Sequence, residues 1–312
     1  MRPPMSTLAT ARNSSALVLS ALAAIFWGTN FEATRLVLID LPPWTAAALR
    51  FAVAAVAALM WLALTRGLDL AVLRRNAPAF VVLGLIGITC FNAALFLGME
   101  TSSPVTAALI MGTSPLTTNL LEALINRRRP AGMALLGMAI SLIGVALTVG
   151  AFSGARFASG DLLIAAGSLG WALYSIGCRR QVSGAAPLET AVWTMTFGAV
   201  ALVVIALAVE TPAAALAGVS AVTWIAGLHM ALIGSVLAIV FWQIGISMRG
   251  PAATSVLFNL VPVSALVVSA LFGRVPSWSQ ILGVAVAVFG VWLASRGEGG
   301  SPARNPGRRA NG

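Results

Sequence analysis

The sequence predicts an all-α integral membrane protein: ten transmembrane helices arranged as two inverted five-helix repeats. Three observations predict it. The composition is too apolar for a core in water, ten apolar runs have spanning length, and the chain matches itself at a nearly constant offset with the loop charges reversed. Of 312 residues, 59% are hydrophobic and 9% are charged, and the mean hydropathy is +0.95. A soluble chain carries about 25% charged residues. Surface-to-volume scaling limits how much apolar surface such a chain can bury, so lipid is the natural solvent here.

A spanning helix needs about 20 mainly apolar residues. Ten segments qualify, at about residues 15–38, 44–65, 77–98, 104–125, 131–150, 160–180, 187–208, 222–246, 251–272 and 277–295. The gaps carry turn and breaker residues: Asp40-Leu-Pro-Pro after the first span, Arg127-Arg-Arg-Pro after the fourth, Ser183-Gly after the sixth and Arg249-Gly-Pro after the eighth. Apolar character continues past Trp27, longer than the apolar core of a cleaved leader. The expected organisation is a cytoplasmic segment 1–14, a first repeat 15–150, a second repeat 160–295 and a disordered cytoplasmic tail 297–312, rich in Gly, Pro, Arg and Asn.

The formal charge is +10, from 19 basic and nine acidic residues, and every basic residue is Arg. A nucleic-acid binder would cluster them on a polar domain. Here they sit in short gaps, where the partner is an anionic bilayer face. With a cytoplasmic N-terminus, the inside segments hold 15 arginines and the outside loops hold Arg156 and Arg274, leaving Arg35 and Arg50 within spans. The positive-inside rule then puts both termini in the cytoplasm.

The repeat shows in residues that fix the backbone. Trp27 matches Trp171 and Pro43 matches Pro187, each 144 apart. Gly87 matches Gly234, Gly98 matches Gly245, Pro104 matches Pro251 and Pro115 matches Pro262, each 147 apart. Gly137 matches Gly283 and Gly144 matches Gly290, each 146 apart. Each unit has an odd number of spans, so the second enters from the opposite side. The gap with Asp40 corresponds to the gap with Arg179 and Arg180, and the gap with Arg66, Arg74 and Arg75 corresponds to one with Glu210. Inverted repeats of this kind are the basis of alternating access around a midplane site.

A site is expected where matched spans are interrupted. Pro115 and Pro262 fall mid-span, each removing a helical hydrogen bond, with Thr113 and Ser114 beside one and Asn259 beside the other. Trp27 and Trp171 lie deep in their spans, unlike an interfacial belt. With Asn30, Phe91, Asn92, Tyr174, Trp242 and Phe258 they make a wall suited to a small molecule with an apolar body and a polar head. Charges inside spans need partners. Arg50 enters at about the depth of Glu32, given the rise of about 1.5 Å per residue, so a Glu32–Arg50 pair is expected as a structural clamp, an outer gate or a substrate-headgroup contact. Gly137/Gly144 and Gly283/Gly290, seven apart, allow close helix packing within a subunit or across a dimer, and the choice between monomer and homodimer stays open. His229, the single histidine, has no metal-ligating neighbours at helical spacing. Cys90 and Cys178 fit buried small hydrophobes. No Walker A, HExxH or GxSxG pattern occurs, so no enzyme activity, metal or cofactor is expected.

Phe26-Trp-Gly-Thr-Asn-Phe, Ala48-Leu-Arg-Phe, Pro104 through Glu122 and Leu136-Gly…Gly144-Val resemble one EamA-type unit. Gly160–Tyr174, Gly250-Pro…Pro262 and Leu282-Gly…Gly290-Val resemble another. Together they resemble the ten-helix members of the drug/metabolite transporter superfamily. The resemblance implies a bacterial inner-membrane exporter with a central cavity. Gly170-Trp-Ala-Leu-Tyr and the eighth and ninth spans are most similar to the aromatic amino-acid exporter branch. That implies cavity roles for Trp27, Phe91 and Trp171 and an amino acid as the small-molecule substrate. Phe91 departs from the tyrosine usual in that branch. A drug, a sugar derivative or a channel function are the alternatives.

Overall fold

The computed structural model describes residues 5–127, 132–148 and 158–298. Ten long helices order the described residues, with a short helical turn at Pro212–Leu216 besides: α1 Met5–Asp40, α2 Pro43–Thr65, α3 Leu70–Met99, α4 Pro104–Ile125, α5 Gly132–Thr148, α6 Ser159–Gln181, α7 Pro187–Val209, α8 Ala221–Arg249, α9 Pro251–Leu271 and α10 Trp278–Glu298. Eight are long and apolar enough to cross a membrane, and α5 and α10 carry shorter apolar stretches, Leu135–Gly144 and Trp278–Gly290. Helix α10 runs two residues into the expected tail. The rest of that tail, residues 1–4, and the loop residues Arg128, Arg129 and Arg156 lie outside the described residues.

Helix ends follow their residues. Proline opens α2, α4, α7 and α9, where its missing N–H costs nothing. Asp69 caps α3, its carboxylate accepting from the Ala71 and Val72 amides. Glu189 accepts from the Ala186 amide at the start of α7.

The two repeats pack helix against matched helix: α2 on α7, α4 on α9 and α5 on α10, while α1 lies on α8 as α6 lies on α3. Five helices per unit make the second unit antiparallel to the first. The glycines Gly144 and Gly290 pack along the α5–α10 seam, within the chain. A Cβ on Gly144 would meet Ala287 N at 2.3 Å, and one on Gly290 would meet Ser141 N at 2.4 Å.

The irregular turns also obey the repeat. Helix α3 widens into a π turn at Leu85–Cys90 and α8 does so at Leu232–Leu237. Helix α4 breaks at Thr113, before Pro115. Helix α9 tightens to a 3₁₀ turn at Val256–Asn259, before Pro262. Each proline disturbs the turn preceding it, where its ring and absent N–H disrupt the ladder. The two breaks touch, since a Cβ on Gly112 would lie 3.0 Å from Pro262 Cγ. These features surround the centre of the bundle, where six helices meet in an aromatic core.

Candidate functional site

Trp27 of α1 organises the centre. Its ring is stacked on Phe258 of α9 with centroids 5.2 Å apart, and edge-on to Trp171 of α6 at 5.2 Å and Trp242 of α8 at 5.1 Å. Phe91 of α3 leans on Trp171 at 5.2 Å. Such offset and edge contacts suit the aromatic quadrupole. The Trp27 Nε1–H donates to the Gly234 carbonyl at 2.9 Å, within the π turn of α8.

Beside these rings lies a cavity of about 40 Å³, room for a few waters and far below a small-ligand pocket. Six residues expected at a site line it: Trp27, Asn30, Phe91, Asn92, Trp171 and Phe258. Tyr174 and Trp242 are buried behind that wall, in ring contact with Trp171 at 5.0 and 6.4 Å. Thr113, Ser114 and Asn259 stand outside it. Thr113 turns its hydroxyl back to the Ile110 carbonyl at 2.7 Å, and Ser114 and Asn259 are buried at the two helix breaks. Met111, Phe51 and Ile88 also line the cavity. Nothing in the sequence distinguishes these three from other core residues.

Arg50 lines the cavity too, and the expected Glu32–Arg50 pair does not form. The Arg50 guanidinium donates to Ser235 Oγ at 2.8 Å, Asn92 Oδ1 at 3.3 Å and the Gly234 carbonyl at 3.3 Å, and packs on the Phe51 ring at 4.9 Å. Glu32 instead accepts from Arg35 Nε at 2.7 Å and Ser269 Oγ at 2.8 Å, with Arg274 at 4.0 Å. The rise per residue placed the two at similar depth. It said nothing of azimuth, and α1 turns Glu32 towards α9 while α2 turns Arg50 towards α8.

On the side away from Asp40, a buried polar septum backs the aromatic wall. The Tyr174 hydroxyl lies 3.2 Å from Thr194 Oγ1 and accepts from Gln243 Nε2 at 2.7 Å. Gln243 and Cys178 face a second cavity of about 100 Å³, with Arg179 and Ser247 at its wall.

Both ends of the bundle are closed by contacts between the repeats. At the Asp40 end, Glu210 accepts from the Trp44 and Thr45 amides and the Thr45 hydroxyl, at 3.1, 2.7 and 2.6 Å. There its charge also sits on the positive N-terminus of α2. Asp40 accepts from the Ser220 amide and the Thr223 hydroxyl at 3.0 and 2.7 Å. Asp161 accepts from Ser102 at 2.5 Å. At the opposite end the Asn76 amide pairs with the Ser183 backbone in both directions, at 3.0 and 2.9 Å, and Arg180 donates to Asn126 at 2.6 Å. His229 lines a separate cavity of about 390 Å³ together with Thr29 and Glu32. Its Nε2 lies 2.8 Å from Thr29 Oγ1.

The EamA-like transporter family matches residues 14–150 and again residues 158–296. The chain belongs to this family. It is therefore a multi-pass membrane transporter built from two EamA units. It is 37% identical over 277 residues to an uncharacterized transporter, YyaM, of Bacillus subtilis (strain 168), covering 87% of this chain and 90% of that one. It is 29% identical to the uncharacterized inner membrane transporter YedA of Escherichia coli (strain K12), over 90% of each chain. It is 27% identical to a probable terminal-alkyne amino-acid exporter of Streptantibioticus cattleyicolor, over 95% of this chain and 99% of that one. A solved crystal structure shares the fold with a TM-score of 0.70 at 24% identity, over 90% of this chain and 96% of the other.

Proposed function

We propose that this EamA transporter exports small amphiphilic metabolites, amino acids first, from the cytoplasm across a bacterial inner membrane. Residues 15–150 and 160–295 rock against each other, and both termini stay cytoplasmic. The observation that carries this reading is the central cavity. It lies where the matched tryptophans Trp27 and Trp171 meet, and its wall combines aromatic rings with Asn30 and Asn92. Such a wall suits an apolar body with a polar head. At about 40 Å³ it must widen before it can take such a substrate, as alternating access requires. The relative described as a probable amino-acid exporter supports the substrate class.

The mechanism is alternating access. Parting of the Asn76–Ser183 and Arg180–Asn126 contacts opens one exit, and parting of the Glu210, Asp40 and Asp161 contacts opens the other. The test is counterflow in liposomes carrying the purified full chain, with a panel of labelled amino acids. Saturable exchange of at least one is expected. A non-saturating conductance, or movement confined to sugar phosphates or cationic dyes, overturns the reading.

A further inference from the structure

We propose that Arg50, Asn30 and the indole N–H of Trp171 form an anion subsite that takes the carboxylate of the substrate, so that the transported class is organic acids with an apolar body rather than organic cations. The inference rests on the central cavity being the transport site and adds what that site recognises.

Arg50 is 5% exposed. An arginine keeps its charge in any protein environment, and a buried charge is costly unless paired. Its three hydrogen bonds all go to neutral acceptors, and among the described residues no carboxylate lies within salt-bridge distance of it. The guanidinium has five N–H donors, so two remain for a ligand. The fixed fork suits a carboxylate, which accepts two parallel bonds.

The neighbours point the same way. Asn30 is 5% exposed, yet neither its Nδ2 nor its Oδ1 has a hydrogen-bond partner. Trp171 is 3% exposed and its Nε1 is likewise without a partner. Buried polar groups left unsatisfied are rare, and each calls for an explanation. Here both line the same cavity as Arg50. A carboxylate entering when the cavity widens gains the guanidinium and two waiting donors, and its apolar remainder meets Trp27 and Phe258. An organic cation in that place meets an uncompensated like charge.

The π turn of α8 explains why the arginine is free. It presents the Gly234 carbonyl to Trp27 and Arg50 and places Ser235 Oγ under the guanidinium Nε. The same Ser235 hydroxyl donates to the Met230 carbonyl at 3.0 Å. The guanidinium is thus held in place by neutral groups, with its charge left for a ligand.

The test uses the purified full chain in detergent with three probes of one shape: 3-phenylpropionate, 3-phenylpropanamide and 3-phenylpropylamine. The readouts are the thermal midpoint and quenching of tryptophan fluorescence. The carboxylate is expected to bind at least tenfold more tightly than the amide, and the amine not at all. Arg50→Gln should erase the difference between acid and amide, and Arg50→Lys, which keeps a charge but loses the fork, should retain part of it. If Arg50→Gln fails to fold, the wild-type comparison and Arg50→Lys still decide. Equal binding of acid and amide, preference for the amine, or no binding by the carboxylate overturns the subsite. The amino-acid counterflow assay separates the two claims. Carboxylate binding without amino-acid flux leaves the subsite standing and removes the amino-acid reading. Flux with no acid preference does the reverse.

Discussion

Asn30 lies so close to Gly234 that a Cβ at position 234 would stand 2.0 Å from the Asn30 Nδ2. The repeat reproduces this contact with other chemistry. Gly87 precedes Gly234 by 147 positions and Tyr174 follows Asn30 by 144. A Cβ on Gly87 would stand 2.2 Å from the Tyr174 Cγ. Both glycines sit in the π turns. One contact helps form the polar side of the cavity with Arg50, and the other anchors the septum with Thr194 and Gln243. Equivalent backbone in the two repeats thus carries a charged group beside the cavity in one case and a neutral septum behind its wall in the other.

The two glycines should therefore respond differently to alanine. At Gly87 the obstacle includes the Tyr174 Cβ and ring, which cannot retreat because the residue is fully buried. Overpacking of this kind costs about 1–3 kcal/mol. At Gly234 the obstacle is the end of a short side chain that can rotate. Gly87→Ala should lower the thermal midpoint in detergent clearly more than Gly234→Ala. Gly234→Ala should instead reduce transport at nearly normal stability. Equal losses in both assays would contradict the distinction.

The α5–α10 seam gives a harsher test. Gly144 and Gly290 face backbone atoms of the opposite helix at 2.3 and 2.4 Å, and backbone cannot move aside without separating the helices. Gly144→Val or Gly290→Val should abolish folded, monodisperse protein on size-exclusion chromatography. Gly218→Val, where nothing lies within 4 Å, should be recovered at wild-type yield.

Glu210 offers a handle on the gate at the Asp40 end. Its carboxylate holds the first turn of α2 from the other repeat through three hydrogen bonds. A hydrogen bond to a charged group contributes about 1.5–3 kcal/mol, and about 1.4 kcal/mol shifts an equilibrium tenfold. Glu210→Gln should therefore raise the population open at that end by about tenfold. The measurement is the labelling rate of Phe91→Cys by a membrane-impermeant maleimide, in a Cys90→Ser background because Cys90 is exposed. An unchanged rate would show that this contact does not hold the gate.

Much of this architecture was legible because glycine, proline and tryptophan leave positional marks. The constant offset paired Trp27 with Trp171, and their rings meet at 5.2 Å. The prolines marked two helix breaks because proline acts on the turn before it. The partner of Arg50 was not legible. Depth follows from counting residues, but azimuth depends on how α2 packs on α8, and the π turn that brings Gly234 and Ser235 to the guanidinium has no sequence pattern. The polar residues beside Pro115 illustrate the same limit. Thr113 satisfies itself on its own helix, a choice that composition cannot reveal.

Trp171 allows the ring and its N–H to be separated. The ring touches Trp27, Phe91, Tyr174, Trp242 and Phe258, so removing it leaves a large void. A buried Trp→Ala change costs about 3–5 kcal/mol. Trp171→Ala should therefore lose much of the folded protein, and transport in that variant cannot report on binding. Trp171→Phe keeps most of the apolar body and deletes the Nε1–H, which has no partner in this structure. An unmet buried donor costs about 1–3 kcal/mol, and its removal offsets the smaller ring. Trp171→Phe should keep its thermal midpoint within a few degrees of wild type. If the N–H waits for the substrate, the same variant should raise the KM for the best amino acid by about tenfold with little change in maximal rate. A variant less stable than wild type but unaltered in KM would assign this indole to packing and remove it from the binding site.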